Sequence, residues 1–112
     1  MIISGGENIY CAEVENALAG HPSVAEVSVV GQPDARWGET PVAFVALRPP
    51  ATSLELTELR AEASVRLARY KLPTALVILD ALPRNASGKV VKGELRKMCP
   101  AAVSAPAASS SE

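Results

Sequence analysis

The amino-acid sequence predicts an α+β fold with α/β-like character, in which helices flank a small mixed sheet of about three strands. A short N-terminal β-hairpin is expected to precede this sheet. Two observations support the prediction. Short β-branched runs alternate with segments of helical apolar spacing, and 112 residues form about one domain with one modest core. A large substrate cavity enclosed by this chain alone is therefore not expected.

The first half of the chain contains the predicted hairpin, one helix and two strands. Cys11, Val14 and Leu18 recur at helical spacing, and the second of the two strands is apolar on both alternating faces. Such a strand is typically central and covered on two sides. The predicted elements are a strand at Ile2 and Ile3 entering a glycine turn, a helix at 11–19 capped by Gly20, a strand at 24–30, a turn at 31–34 and a strand at 42–47.

The second half contains the clearest amphipathic pattern. Leu56, Leu59, Ala63, Leu67 and Tyr70 recur every three or four residues, which predicts one long helix. The predicted elements are that helix at 57–69 with Thr57 as its N-cap, a strand at 75–79, a polar loop at 82–89 and a short helix at 91–98.

Residues 100–112 differ in composition from the rest. They consist of Pro, Ala, Val and Ser with one Glu, which is typical of a disordered segment. We therefore expect one folded domain over residues 1–99 and a disordered Ala/Ser/Pro tail at 100–112.

Composition excludes several classes of function. No apolar run approaches the roughly 20 residues that a membrane helix needs, and the N-terminus lacks the basic and apolar regions of a secretory signal. Cys11 and Cys99 lie far apart, and His21 is the only histidine. These residues predict no disulfide framework, no metal site and no histidine-based triad. We expect reduced thiols, a surface or capping histidine and a cytoplasmic location, with peripheral membrane association left open for a longer protein.

Charge is distributed unevenly along the chain. Residues 1–62 carry nine acidic and three basic side chains, a balance of −6, whereas residues 63–112 carry three acidic and eight basic side chains, a balance of +5. A basic half suits an anionic ligand such as a nucleotide. A solvated helix face with a basic end accounts for the same pattern, and charge alone does not separate the two.

The segment from Leu82 to Val90 is the strongest candidate for chemistry. Gly88 allows a backbone turn that other residues resist, and Lys89 then presents a compact ammonium that meets phosphate or carboxylate without bidentate geometry. The segment is not a P-loop, because Pro83 stands at the first glycine position and Val90 replaces the hydroxyl residue. The alternative is an ordinary exposed turn lysine.

Two further segments are weaker candidates. The paired glycines Gly5 and Gly6 permit a tight turn or the close approach of a narrow ligand, and a plain hairpin turn is the alternative. Trp37 lies in a loop after Arg36, and a tryptophan that plugs the core is the alternative there.

Taken in order, these segments resemble the C-terminal domain of the adenylate-forming superfamily of acyl-CoA synthetases, luciferases and peptide-synthetase adenylation domains. The resemblance covers about residues 1–98, and the motif sequences are most similar to those of bacterial medium- or long-chain fatty acyl-CoA synthetases. The residues that carry it are Met1 to Tyr10 with Glu13-Val14-Glu15, Pro33-Asp34 with Trp37-Gly38-Glu39, Leu67 to Pro73, and Leu82-Pro83-Arg84 with Ser87-Gly88-Lys89-Val90.

The resemblance implies a mobile domain that alternates between two poses. In the first pose, the lysine matched by Lys89 stabilises attack of a carboxylate on the α-phosphate of ATP. In the second, the glycine segment faces the tunnel through which CoA reaches the acyl-adenylate. The implied residues are catalytic Lys89, the CoA-facing Ser4, Gly5, Gly6 and Glu7, the nucleotide-proximal loop residues Arg84, Ser87 and Gly88, and the candidate CoA contacts Arg36 and Trp37.

The resemblance also implies that the chain is a fragment that begins just after the interdomain hinge. ATP with Mg²⁺, CoA and a carboxylic acid, expected to be a fatty acid, would be bound mainly by an N-terminal adenylation domain of the same polypeptide. The fragment alone is expected to be inactive and to bind no nucleic acid. Cys11 departs from the family, which usually has proline at this first position of a helix.

Two other functions stay open at this point. One is a ligase that stops at the acyl-adenylate or loads a carrier protein. The other is a stand-alone module that uses its basic half to bind a nucleotide or a partner protein. An upstream reading frame with a Gly/Ser/Thr-rich phosphate-binding segment would argue against the module.

Overall fold

The computed structural model describes residues 1–99, and the predicted tail at 100–112 lies outside that range. Over the described residues the α+β fold class is confirmed, with one five-stranded mixed sheet, three α-helices and a 3₁₀ turn. In chain order the elements are β1 (Ile2–Ser4), β2 (Glu7–Ile9), α1 (Cys11–Leu18), β3 (Val24–Asp34), β4 (Gly38–Leu47), α2 (Leu56–Ala63), the 3₁₀ turn (Arg69–Lys71), β5 (Ala75–Leu79) and α3 (Lys92–Lys97).

Strand β4 is the centre of the sheet. It pairs antiparallel with β3, from Val24 opposite Leu47 to Asp34 opposite Gly38. Its other edge is shared between β1, which pairs antiparallel with it at Ser4, and β5, which runs parallel to residues 42–46. The predicted hairpin, β1–β2, therefore joins the same sheet as the three central strands.

Two cores lie on opposite faces of β4, as its doubly apolar pattern predicts. Ala43 and Val45 face the first core, whereas Val42 and Phe44 face the second. The first core lies beneath α1, α2 and the hairpin and includes Ile2, Ile9, Leu18, Val29 and Leu59; the second lies beneath α3 and includes Val30, Leu82 and Leu95.

Strands β3 and β4 are longer than predicted, and the turn between them lies later in the chain. The Asp34 side chain causes the shift, because its Oδ1 accepts hydrogen bonds from the backbone N–H groups of Arg36 and Trp37 at 2.8 and 2.9 Å. An aspartate that bonds the backbone two residues ahead nucleates a turn. The ladder therefore continues through the predicted turn at 31–34 to its end at Asp34.

Helix α2 is shorter than the predicted helix at 57–69. It begins after Glu55, whose backbone N–H donates to Glu58 Oε1 at 3.0 Å in a capping box, so the prediction of Thr57 as N-cap is wrong. The helix ends at Ala63, and the chain continues through turns to the 3₁₀ segment. Tyr70, assigned to the apolar helix face, is exposed for this reason.

The other two helices and β5 lie close to their predicted positions. Helix α1 begins at Cys11, as predicted, but its C-cap is Ala19 in a right-handed conformation, so the predicted cap at Gly20 is wrong. Strand β5 has the predicted bounds. The His21 side chain has a local capping contact, in which Nδ1 accepts the backbone N–H of Ser23 at 3.0 Å.

Among residues 1–99, no helix combines the length and the apolarity needed to cross a bilayer.

Candidate functional site

The loop that carries Lys89 is a tight turn stabilised by Asn85. Asn85 Oδ1 accepts hydrogen bonds from the backbone N–H groups of Ser87 and Lys89 at 2.9 and 3.1 Å. The Asn85 backbone bonds Lys89 O and Gly88 N at 2.9 Å each. Gly88 adopts a φ of +85°, in the left-handed region that favours glycine. The turn is therefore rigid at its backbone, while the Lys89 side chain is exposed.

Arg84 fixes this turn to the rest of the domain. Its guanidinium donates to Gly88 O at 2.8 Å and pairs with Glu26 Oε1 of β3 at 2.9 Å. A bridge between Arg84 and Val90 closes the base of the loop. Of the predicted nucleotide-proximal residues, Arg84 therefore acts within the loop itself, whereas Ser87 and Gly88 lie exposed beside Lys89.

The N-terminal hairpin has a turn made entirely of glycine. Gly5 and Gly6 have φ values of +58° and +84°, as a two-residue hairpin turn of this hand requires. Gly5 N–H donates to Trp37 O at 2.7 Å, and a Cβ at Gly5 would lie 2.9 Å from Trp37 Cε3. Only glycine allows Trp37 to lie this close to the turn.

A groove of about 500 Å³ opens beside this hairpin. Three of the predicted CoA-facing residues line it, namely Ser4, Gly5 and Glu7, together with Trp37. Gly6 lies at the exposed tip and is not among the lining residues. Because Trp37 is 47% exposed, the alternative of a tryptophan that plugs the core is wrong.

Arg36 accompanies Trp37 without lining the groove. Its guanidinium carbon lies 4.9 Å from the centroid of the Trp37 ring, within the range of a cation–π contact. Both side chains are exposed. A positive charge and an aromatic face are thus presented together at the end of the β3–β4 turn.

Two groove residues were missed because they come from the misassigned end of the predicted helix, namely Arg69 and Tyr70 of the 3₁₀ turn. Arg60 also lines the groove, from the part of α2 that was predicted as helix. The Lys71 ammonium pairs with Glu13 of α1 at 2.9 Å, and this hydrogen bond raises the pKa of Lys71. Pro73, which ends the Arg69–Lys71 stretch, was the available signal for a turn rather than a helix.

The lysine loop and the glycine hairpin lie at opposite ends of the sheet. The loop is fixed to Glu26 near the start of β3, whereas the hairpin pairs at Gly38, opposite Asp34 at the end of β3. Asp34 lies eight positions after Glu26 along the extended strand, which corresponds to about 26 Å. The structure therefore does not bring the two predicted sites together.

The two sites also rest on different cores. Ile2 and Ile9 of the hairpin belong to the first core, whereas Leu82 and Val90 around the lysine loop belong to or pack against the second. Cys99 also packs against the second core, and burial raises the pKa of its thiol above the ordinary 9.0. Its thiol and that of Cys11 are both free.

Metal ligands are not grouped anywhere within residues 1–99, where no cluster of three or more His, Cys, Asp or Glu side chains is suited to hold an ion.

A family model matches most of the chain. The model described as the AMP-binding enzyme C-terminal domain aligns with residues 13–89, which span β3, β4 and the lysine loop. The match ends at Lys89 itself.

Curated relatives and solved structures are similar over nearly all of the described residues. The 2-succinylbenzoate–CoA ligase of Bacillus subtilis is 50% identical over 96 residues, which is 86% of this chain and 19% of the relative. A fatty acyl CoA synthetase from Mycobacterium tuberculosis is 43% identical with a TM-score of 0.83, covering 93% of this chain and 20% of that one. The Bacillus subtilis o-succinylbenzoate CoA synthetase with its acyl-adenylate intermediate is 48% identical with a TM-score of 0.77, over 85% of this chain and 19% of that one. The chain thus spans about a fifth of these relatives.

Proposed function

The chain belongs to the AMP-binding enzyme C-terminal domain family, and from that premise we propose that it is the mobile C-terminal domain of a longer acid–thiol ligase. In this proposal the longer protein converts a carboxylate and ATP to an acyl-adenylate and pyrophosphate, and then forms acyl-CoA and AMP. The large N-terminal domain binds ATP with Mg²⁺ and the acid. The present chain supplies one chemical group to each step.

The opposite placement of the lysine loop and the glycine hairpin supports this proposal most strongly. A unit whose two functional segments are anchored at points about 26 Å apart along β3 presents one end at a time to a single active site. Rotation of the domain as a body then exchanges the two ends without unfolding either. Hinge motions of this kind are a common way to complete a catalytic site.

In the first step Lys89 is the group that this chain contributes. A carboxylate oxygen attacks the α-phosphorus of ATP, the bond from that phosphorus to the bridging oxygen breaks, and pyrophosphate leaves. Two anions meet in this reaction, and a fixed ammonium offsets the negative charge that concentrates there. The hydrogen bonds that fix the Asn85–Lys89 turn hold the base of the lysine in place before the substrates meet.

In the second step the glycine hairpin is the contribution. The CoA sulfur attacks the acyl carbon, its thiol proton leaves, and AMP is released. Gly5 and Gly6 have no side chains to obstruct a narrow thiol arm, and Gly5 lines the groove together with Ser4, Glu7 and Trp37. Arg36, stacked on Trp37, places a cation beside that groove for the phosphates of CoA.

We propose a fatty acid as the carboxylate and CoA as the thiol. The high structural similarity to the Mycobacterium tuberculosis fatty acyl CoA synthetase supports this assignment, whereas the similarity to 2-succinylbenzoate–CoA ligases indicates the main competing acid. In this proposal the N-terminal domain determines the choice of acid.

Product analysis of the full-length protein that carries this chain tests the proposal. The protein is incubated with ATP, Mg²⁺ and either a medium-chain fatty acid, a long-chain fatty acid or 2-succinylbenzoate, first without and then with CoA. Pyrophosphate release without CoA, followed by a fatty acyl-CoA product when CoA is added, is the expected result. The 112-residue chain alone should release no pyrophosphate.

Each other outcome removes a distinct part of the proposal. Accumulation of the acyl-adenylate in the presence of CoA would favour a protein that loads a carrier over one that forms a CoA thioester. Selective use of 2-succinylbenzoate would support the ligase activity but would show that the carboxylate substrate is 2-succinylbenzoate and not a fatty acid. Absence of pyrophosphate release with every acid would contradict the ligase.

A further inference from the structure

We propose that Lys92 and Glu15 form a clamp that positions the lysine loop for the first half-reaction. This inference rests on the proposed function of Lys89 and concerns residues three and 74 positions away from it. Lys92 and Glu15 are positioning residues in this proposal, because they act through the loop and do not touch the reacting atoms.

The clamp closes over the free edge of β3. This strand is the last in the sheet, so its outward backbone groups have no strand partner. Glu15 Oε2 accepts the N–H of Val29 at 2.8 Å, and the Lys92 ammonium donates to Val29 O at 3.1 Å. Lys92 and Glu15 also pair directly at 2.8 Å. One residue of the edge strand therefore connects α1 to α3.

Helix α3 depends on this contact for its position. It has only six residues and no side-chain hydrogen bond at its N-cap, Val91, and helices this short are marginal without tertiary anchors. Two anchors are present, the fully buried Leu95 and the Lys92 ammonium. Lys92 is the first residue of the helix, so the clamp fixes the end from which the lysine loop departs.

The loop and the clamp are joined by a segment of two residues. Only Val90 and Val91 separate Lys89 from Lys92, and the Val91 N–H donates to Pro83 O at 2.9 Å. On its other side the loop is held by Arg84 and Glu26. Release of Lys92 would leave the turn and its contacts at Arg84 and Pro83 intact, but it would free the start of α3 and let the loop tilt with it.

Such a tilt matters for adenylation alone. A displacement of about 1 Å at a reacting group lowers rates by up to about 100-fold. The glycine hairpin pairs with β4 at Gly38, at the other end of the sheet from Val29 where the clamp closes, so we expect loss of the Lys92 ammonium to leave the hairpin turn in place.

The test compares the two half-reactions in variants of the full-length protein. Lys92→Met retains most of the apolar stem and removes the ammonium, and Lys92→Arg retains a cation that can donate to both Glu15 and Val29 O. Lys97→Met is the matched control, because Lys97 lies on the same helix but pairs only with its exposed neighbour Glu94. Adenylation is measured as pyrophosphate release without CoA, and thioester formation with supplied acyl-adenylate and CoA.

We expect Lys92→Met to lower the adenylation rate about 10- to 100-fold through displacement of the loop, with thioester formation within about twofold of wild type. Lys92→Arg should recover most of the loss, and Lys97→Met should change neither rate. Equal loss in both half-reactions, or no selective loss, would overturn the proposal. If Lys92→Met does not fold, Glu15→Gln is measured in its place. The amide oxygen can still accept the Val29 N–H, but the negative charge that pairs with Lys92 is lost.

Lys89→Ala in the same assay separates this inference from the proposed function. A selective adenylation defect in Lys89→Ala without one in Lys92→Met would overturn the positioning role of the clamp and support the role of Lys89 in adenylation. No selective defect in Lys89→Ala would remove the proposed function itself.

Discussion

The lysine loop and the glycine hairpin differ in what they present and in how they are fixed. The loop presents a charged side chain, and polar side chains fix it, chiefly Arg84 and Asn85. The hairpin exposes backbone without side chains at its turn, and its backbone N–H groups fix it: Gly5 N–H donates to Trp37 O, and Ile3 N–H donates to the Glu39 carboxylate. Charge at one end and the absence of side chains at the other fit the two different steps of the proposed reaction.

The two cores extend this difference into the interior. Because each end rests on its own core on its own face of β4, a local defect should remain near the end where it is introduced. Proteins open in such partly independent units when their contacts are grouped in this way. The following substitutions test whether the two ends are independent, in order of decreasing expected effect.

The largest effect is expected from a matched pair of buried leucines. Leu95→Ala in the second core and Leu18→Ala in the first each remove a fully buried side chain, and each should lower the free energy of unfolding by about 2–5 kcal/mol. Urea unfolding of the 112-residue chain measures the loss.

Amide hydrogen exchange in the same two variants then tests independence. Leu95→Ala should accelerate exchange at Lys89 N–H more than at Gly5 N–H, and Leu18→Ala should do the reverse. Equal acceleration at both amides in both variants would mean that the domain opens as one unit.

An intermediate effect is expected at the glycine turn. Gly5→Ala and Gly6→Ala each force a side chain into a left-handed conformation, at about 1–2 kcal/mol, but only the Cβ at position 5 meets Trp37. Gly5→Ala should therefore displace Trp37 and slow thioester formation in the full-length protein more than Gly6→Ala does. Intrinsic tryptophan fluorescence reports the displacement, and indistinguishable spectra for the two variants would argue against the contact.

The smallest effect is expected at Cys99, beside α3. Burial raises the pKa of this thiol above 9.0, so less thiolate is present near pH 8 than for an exposed cysteine. Alkylation by iodoacetamide in a Cys11→Ala background should be slower than that of a model thiol at pH 8, and the difference should shrink as the pH rises past 9. Alkylation at the model rate throughout would mean that Cys99 does not pack on the second core.

Local patterns were sufficient to predict much of this molecule. The Ser87-Gly88-Lys89 turn is contained within a few residues, so the exposed lysine was predictable from the sequence. The doubly apolar run at 42–47 likewise predicted a strand between two cores. The family resemblance added roles for Lys89 and for the glycine pair, and those roles remain proposals.

Long-range contacts could not be predicted in the same way. Arg84 and Glu26 are 58 positions apart and Lys92 and Glu15 are 77 apart, and no local pattern links them. The helical period also continued past the end of α2, which placed Tyr70 in the core although a turn exposes it. Periodicity records which residues are apolar but does not record where the backbone stops being helical.

The rates of the two half-reactions in Lys89→Ala, measured in the full-length protein, test the central claim most directly. Loss of a preorganised charge of this kind lowers a rate by about 100- to 1,000-fold, and that loss should appear in pyrophosphate release without CoA. Formation of the thioester from supplied acyl-adenylate should stay close to wild type. A similar loss in both half-reactions, or an unchanged rate of pyrophosphate release, would contradict the assignment of Lys89 to adenylation.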